Sequence, residues 1–101
     1  MLRHIVFWKI SPEGDNSKHR EVCDQFQAKC AFLESVIPQF RRYRVACNTE
    51  ARDEKNFHIC IDSIFASKED LEAYIIHPEH LKVREWLNSV TYDKTVFDYE
   101  C

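Results

Sequence analysis

Apolar and polar residues alternate from Leu2 to Ile10, in a run rich in β-branched and aromatic types, and that period of two predicts a strand. One face carries Leu2, His4, Val6, Trp8 and Ile10; the other carries Arg3, Ile5, Phe7 and Lys9. The run stops at Ser11-Pro12-Glu13-Gly14-Asp15, a turn cluster. From Ser17 the period lengthens. Val22, Phe26, Cys30, Leu33 and Ile37 recur at steps of four and three, the single apolar stripe of a helix. Asp15, Asn16 or Ser17 can cap its start, and Pro38 lies just past its end. Phe40 to Asn48 interleaves arginine with Tyr, Val and Cys and reads as a second strand. After a charged connection over Thr49 to Asn56 comes the clearest strand, Phe57 to Phe65, with Phe57, Ile59, Ile61 and Phe65 on one side.

Ser67 then caps a short helix, with Glu69 and Asp70 in its first turn complementing the helix dipole. Pro78 has no amide hydrogen to donate and suits the first turn of a new helix, so the short helix ends near His77 and another begins near Pro78. His80, Val83, Leu87 and Val90 form the inner stripe of that piece, and Lys94 to Glu100 is a last strand. The order β-α-β-β-α-β predicts one α+β domain over residues 1–101, a ferredoxin-like subunit. Its four-stranded antiparallel sheet, in strand order 4-1-3-2, has helices on one face only.

Composition narrows the function classes. Apolar residues at 45% support a modest core, and a single glycine excludes repetitive low-complexity classes. With 14 basic and 17 acidic residues the net charge is −3, a poor basis for nucleic-acid binding, which needs a basic field. Arg42 and Arg44 alternate to the helix-free side, where Asp62 or Glu100 can pair with them. No apolar run is long enough to cross a membrane. The start has no leader-like apolar core with a small-residue cleavage site, so a cytoplasmic setting is expected. Cys23, Cys30, Cys47, Cys60 and Cys101 are odd in number with no CxxC pair, which points to reduced thiols acting as small hydrophobes.

Helices cover only one side of such a sheet. The other side leaves Ile5, Phe7, Ile64, Phe97 and Tyr99 facing water. A homodimer in which two open sheet faces meet is the economical solution. His58 is expected on that open side, and His19 in the exposed first turn of the first helix.

On the helix-covered side, alternation places His4 and Asp98 on neighbouring strands, with Tyr74 and His80 coming from the helices around Pro78. These four are expected to converge at one end of the space between sheet and helices. Tyr43 is expected to add a hydroxyl there. Val6, Trp8, Phe26, Cys30, Ile59, Ile61 and Val96 are expected as apolar walls, and His77 as a further contact or as the cap of the helix after Pro78. An apolar pocket with a few convergent polar groups is the default ligand site, and a volume of at least about 300 Å³ would favour binding over a filled core. An Asp98–His80 pair would make a general base, with Tyr74 a donor to a developing enolate or alkoxide. The competing reading gives the same residues structural roles in a non-catalytic dimer. His77-x-x-His80 has metal-ligand spacing, but Pro78 breaks the turn between them, and no metal or cofactor is expected.

MLRHIVFWKI, LEAYIIHPEH and VFDYE, in that order, resemble the stress-responsive α/β-barrel (Dabb) family over nearly the whole chain. The resemblance implies a ferredoxin-like subunit whose dimer closes two sheets into an α/β barrel. Plant polyketide cyclases of the olivetolic acid type resemble this family and use a tyrosine and a histidine for intramolecular aldol closure. The matching positions are Tyr74 and His80 in YIIHPEH, with His4 matching a further pocket histidine. A small hydrophobic carbonyl compound, bound, cyclised or enolised, is the ligand class that follows. Family members commonly carry a glycine late in the second strand where this chain has Ala46-Cys47, so a different local turn is expected there.

Overall fold

The structure, a computed structural model, describes residues 1–11, 16–48, 50, 52 and 55–101, apart from the side chains of Asn16 and Ser17. The elements run β1 (Leu2–Ile10), α1 (Asn16–Val36), β2 (Phe40–Cys47), β3 (Ile59–Phe65), α2 (Lys68–Ile75), α3 (Pro78–Val90) and β4 (Thr91–Glu100). Most of the Ser11–Asp15 turn cluster, and the caps expected at Asp15, Asn16 or Ser17, lie outside the described residues and side chains. So does half of the Thr49–Asn56 connection.

The sheet is antiparallel throughout, in the order β2-β3-β1-β4, as the split arrangement requires. The three helices lie on one face of it. Burial follows parity on the two central strands: His4, Val6, Trp8 and Ile10 are buried on β1, and Ile59, Ile61, Ser63 and Phe65 on β3. Against them α1 sets Val22, Phe26, Cys30 and Leu33, the stripe its spacing predicts. Phe26 is fully buried and meets Trp8 edge to face at 6.2 Å. An aromatic side chain buried this way contributes about 1.5–3 kcal/mol through the hydrophobic effect. Leu71 and Tyr74 of α2 and Val83 and Leu87 of α3 complete the core.

The break at Pro78 is built as its chemistry predicts. Ser67 Oγ accepts from the Asp70 amide at 3.1 Å and starts α2, and His77 Nδ1 accepts from the Glu79 amide at 3.1 Å and starts α3. Where the family pattern has glycine, Ala46 and Cys47 stay in register with Cys60 and Ile59. The irregularity of β2 falls instead between Phe40 and Arg42.

Six expectations change. β3 begins at Ile59 rather than Phe57, because His58 uses its backbone and ring to tie three strands together. Its amide donates to Trp8 O at 3.0 Å, its carbonyl accepts from the Asn48 amide at 2.6 Å, and its Nδ1 accepts from the Ile10 amide at 2.9 Å. That turn carries His58 into the covered side and sends Phe57 to the open side, where its ring lies 5.4 Å from Phe7. His19 is likewise buried, 1% exposed, with its ring centroid 4.3 Å from His58. β4 begins at Thr91, three residues early, by absorbing a bulge opposite Trp8: Phe7 pairs with Thr95 but Lys9 pairs with Tyr92. On the open side Asp62 is held by Arg3, not by Arg42 or Arg44. Arg3 Nε reaches Asp62 Oδ1 at 2.8 Å, Nη2 reaches Oδ2 at 2.5 Å, and Nη1 donates to Tyr99 Oη at 3.1 Å.

A candidate ligand cavity between sheet and helices

A cavity of about 270 Å³ opens between the β1/β4 edge and the α2–α3 junction. It falls short of the ~300 Å³ at which ordinary ligand pockets begin, so its volume does not by itself favour binding over a filled core. Val6, Trp8, Ile61 and Val96 wall it, and His4, Tyr74, His80 and Asp98 all line it. Leu33, Ile75, Val83 and Leu87 add apolar wall, and Arg84, Asn88 and Lys94 add polar groups.

Two histidines flank Tyr74. Its ring centroid is 4.3 Å from His80 and 6.4 Å from His4, and burial raises its phenol above the ordinary range, so the hydroxyl keeps its proton. His80 Nδ1 lies 2.8 Å from Ile75 O. A carbonyl only accepts, so Nδ1 carries the proton and Nε2 keeps the lone pair. Burial lowers the His80 pKa and outweighs the Ile75 bond, which raises it; Arg84, Lys94 and His4 lower it further. The ring is therefore neutral near neutral pH.

Asp98 does not partner His80. The register that sets His4 opposite Asp98 gives the carboxylate to His4, with Nδ1 and Oδ1 2.5 Å apart. The expected Asp98–His80 dyad is thus replaced by a His4–Asp98 dyad across the sheet, and His80 is oriented by a carbonyl.

Other expected members lie elsewhere. His77 does not line the cavity; its Nδ1 is spent on capping α3. Phe26, Cys30 and Ile59 are packed in the core behind it. Burial pushes the Cys30 thiol up to about 12, so it remains an uncharged small hydrophobe. Tyr43 packs at a tilt against Phe40 at 4.2 Å, and Phe40 meets Tyr74 edge to face at 5.0 Å, so the Phe40 ring lies between Tyr43 and Tyr74. Among the described residues no three His, Cys, Asp or Glu side chains are grouped to hold a metal ion.

Arg84 and Lys94 were missed. Arg84 had a readable signal, one turn after His80 on the same helix. Lys94 had one too, since it shares the parity of Val96 and Asp98 on the last strand.

Residues 2–101 match the Stress responsive A/B Barrel Domain, or Dabb, family. The chain belongs to that family. A stress-response A/B barrel domain-containing protein of Arabidopsis thaliana is 29% identical over 85 residues, which is 82% of this chain and 30% of that protein. The chain thus spans under a third of the length of that Dabb relative. A dimeric ferredoxin-like protein from Bacteroides fragilis superposes with a TM-score of 0.85 at 24% identity, covering 99% of this chain and 95% of that one. The hydroxynitrile lyase of Passiflora edulis superposes with a TM-score of 0.76 at 20% identity, covering 97% and 90%. At these identities the superpositions show a common fold. No helix among the described residues is long and apolar enough to cross a membrane.

Proposed function

We propose that this Dabb domain works as a cytosolic homodimer, joined through its open sheet faces, that binds a small hydrophobic carbonyl compound and moves a proton next to its carbonyl group. The observation that carries the reading is the meeting of Tyr74, His80 and the His4–Asp98 pair at one end of an apolar cavity. His80 Nε2 takes the proton from the carbon beside the carbonyl. The electron pair passes to the carbonyl oxygen, and the Tyr74 hydroxyl donates to the oxyanion that forms. His4, oriented by Asp98, is the second imidazole at the reacting end. Delivery of the His80 proton to the carbonyl oxygen gives the enol, and its return to carbon regenerates the ketone, exchanged at that position when the solvent is D₂O. Attack of the enolate carbon on a second carbonyl of the same molecule forms a C–C bond and closes a ring, and the new alkoxide takes its proton from His80. A hydroxynitrile lyase built on the same fold lends support, since its name describes carbonyl-forming chemistry.

The test follows α-proton exchange of an apolar methyl ketone in D₂O by NMR. The folded protein accelerates exchange, and His80→Ala lowers that acceleration by about 10²–10⁴-fold, the usual contribution of a positioned base, while the fold remains. An unchanged rate removes His80 from the mechanism. One observation favours the second reading, a structural dimer: the His80–Ile75 bond bridges the break between α2 and α3. Under that reading His80→Ala lowers thermal stability and the wild-type protein does not accelerate exchange.

A further inference from the structure

The mouth of the cavity has a charge that the proton-transfer reading does not use. Arg84 and Asn88 stand one turn apart on α3, and Lys94 faces them from β4. A guanidinium, an amide and an ammonium therefore border the same apolar space. Neither cation makes an ion pair among the described residues. The one carboxylate lining the cavity, Asp98, is occupied by His4. This concentration of positive charge occurs in a chain whose net charge is −3, so overall composition does not account for it.

Strand parity puts Lys94 there. Val96 and Asp98 lie on the covered side, and Lys94 shares their parity. The extra residue of the bulge lets Tyr92 pair with Lys9 on the opposite side, and Asp93 takes φ 54, the left-handed region that a non-glycine residue enters at a cost. Burial and the charge of Arg84 together lower the Lys94 pKa. Two like charges held close beside an apolar wall gain from an anion placed between them.

We infer that the ligand of this cavity carries a carboxylate, held at the mouth by Arg84 and Lys94 while its apolar carbonyl-bearing body lies against Trp8, Ile61 and Val83. This inference rests on the cavity reading above and adds the charge of the ligand. Arg84 suits a planar carboxylate through paired N–H donors, and Lys94 supplies a compact point charge.

The probes are 4-acetylbenzoate and its methyl ester, the same apolar ketone with and without the charge. Titration of the folded protein at low salt, followed by NMR signals of Tyr74 and His80, should show the acid binding about tenfold more tightly than the ester. Raising ionic strength shrinks that ratio. In the Arg84→Gln/Lys94→Gln variant the ratio falls to about one. Arg84→Glu, a single exposed substitution, inverts the preference. Equal affinity of acid and ester in the wild type, or a ratio that survives the double substitution, overturns the carboxylate inference and leaves the cavity reading standing. If neither probe perturbs Tyr74 or His80, the cavity reading itself falls, and the carboxylate inference with it.

Discussion

At the residue scale, imidazole chemistry is decided by which nitrogen the backbone takes. His58 and His77 accept from amides at Nδ1, whereas His80 donates from Nδ1 to a carbonyl. The last arrangement leaves a basic Nε2 lone pair in the neutral ring, as does the His4 Nδ1–Asp98 pair, so the two cavity imidazoles, and not His58 or His77, suit proton abstraction. His58 has a different consequence. Burial, then the neighbouring His19 and Lys9, lowers its pKa from the ordinary 6.5. The unfolded chain binds that proton more readily than the folded one. Its stabilising contribution is therefore complete above the unfolded value and is lost as pH falls through the folded one. Urea denaturation between about pH 7 and about pH 5 should show stability falling with pH, and His58→Gln should flatten that slope because an amide oxygen accepts from Ile10 without titrating. His58→Leu should instead lower stability by about 1–3 kcal/mol near neutral pH, the cost of leaving the Ile10 amide without its acceptor. A slope unchanged in His58→Gln would show that other groups set it.

At the element scale, the α2–α3 junction is held by caps at consecutive helix starts. Ser67 satisfies α2 and His77 satisfies α3, with Pro78 supplying a fixed φ where no amide donor is needed. His77→Ala should cost about 1 kcal/mol, seen as a fall of about 4–8 °C in melting temperature for a domain of this size, and His77→Asn should restore most of it. Equal melting of the two variants would deny the cap. The same scale shows what the sequence could and could not announce. Alternation sorted His4, Val6, Trp8, Ile59, Ile61 and Asp98 to the covered side because one face of each strand must be apolar. It mispaired Asp98 because His80 and His4 both reach that side, and only the register of β1 against β4 chooses between them. It misplaced Phe57 and His58 because a strand start is set by hydrogen bonds to Trp8, Ile10 and Asn48, distant in sequence. The bulge at Asp93 left no trace in the pattern, so nothing there announced that Tyr92 pairs with Lys9 on the open side.

At the scale of the whole molecule, the sheet has two faces and helices for one. Phe57 lies over Phe7 and shields part of the open side, but Phe97 remains 58% exposed, with Tyr99 beside it at 5.5 Å between ring centroids. The charges in the middle of this side are already neutralised, since the Arg3 fork satisfies both Asp62 oxygens and reaches Tyr99. Arg3 holds the Asp62 carboxyl below its ordinary range, so that pair stays ionised and internally matched at neutral pH. The Arg3–Asp62 centre of this face can lose water without stranding a charge, while Arg42 and Arg44 lie on β2, the edge strand, where a contact between two copies can leave them in water. Two-fold symmetry doubles the effect of any change, because each residue enters the contact twice. Sedimentation at micromolar concentration should therefore give a particle of twice the 12.1 kDa chain mass. Phe97→Glu should give the single-chain mass, because it places two unpaired carboxylates in the contact while leaving the helix-covered core untouched. Phe97→Leu keeps the apolar surface and should remain dimeric. A wild-type particle of single-chain mass would mean that the exposed rings of β4 are not used between copies.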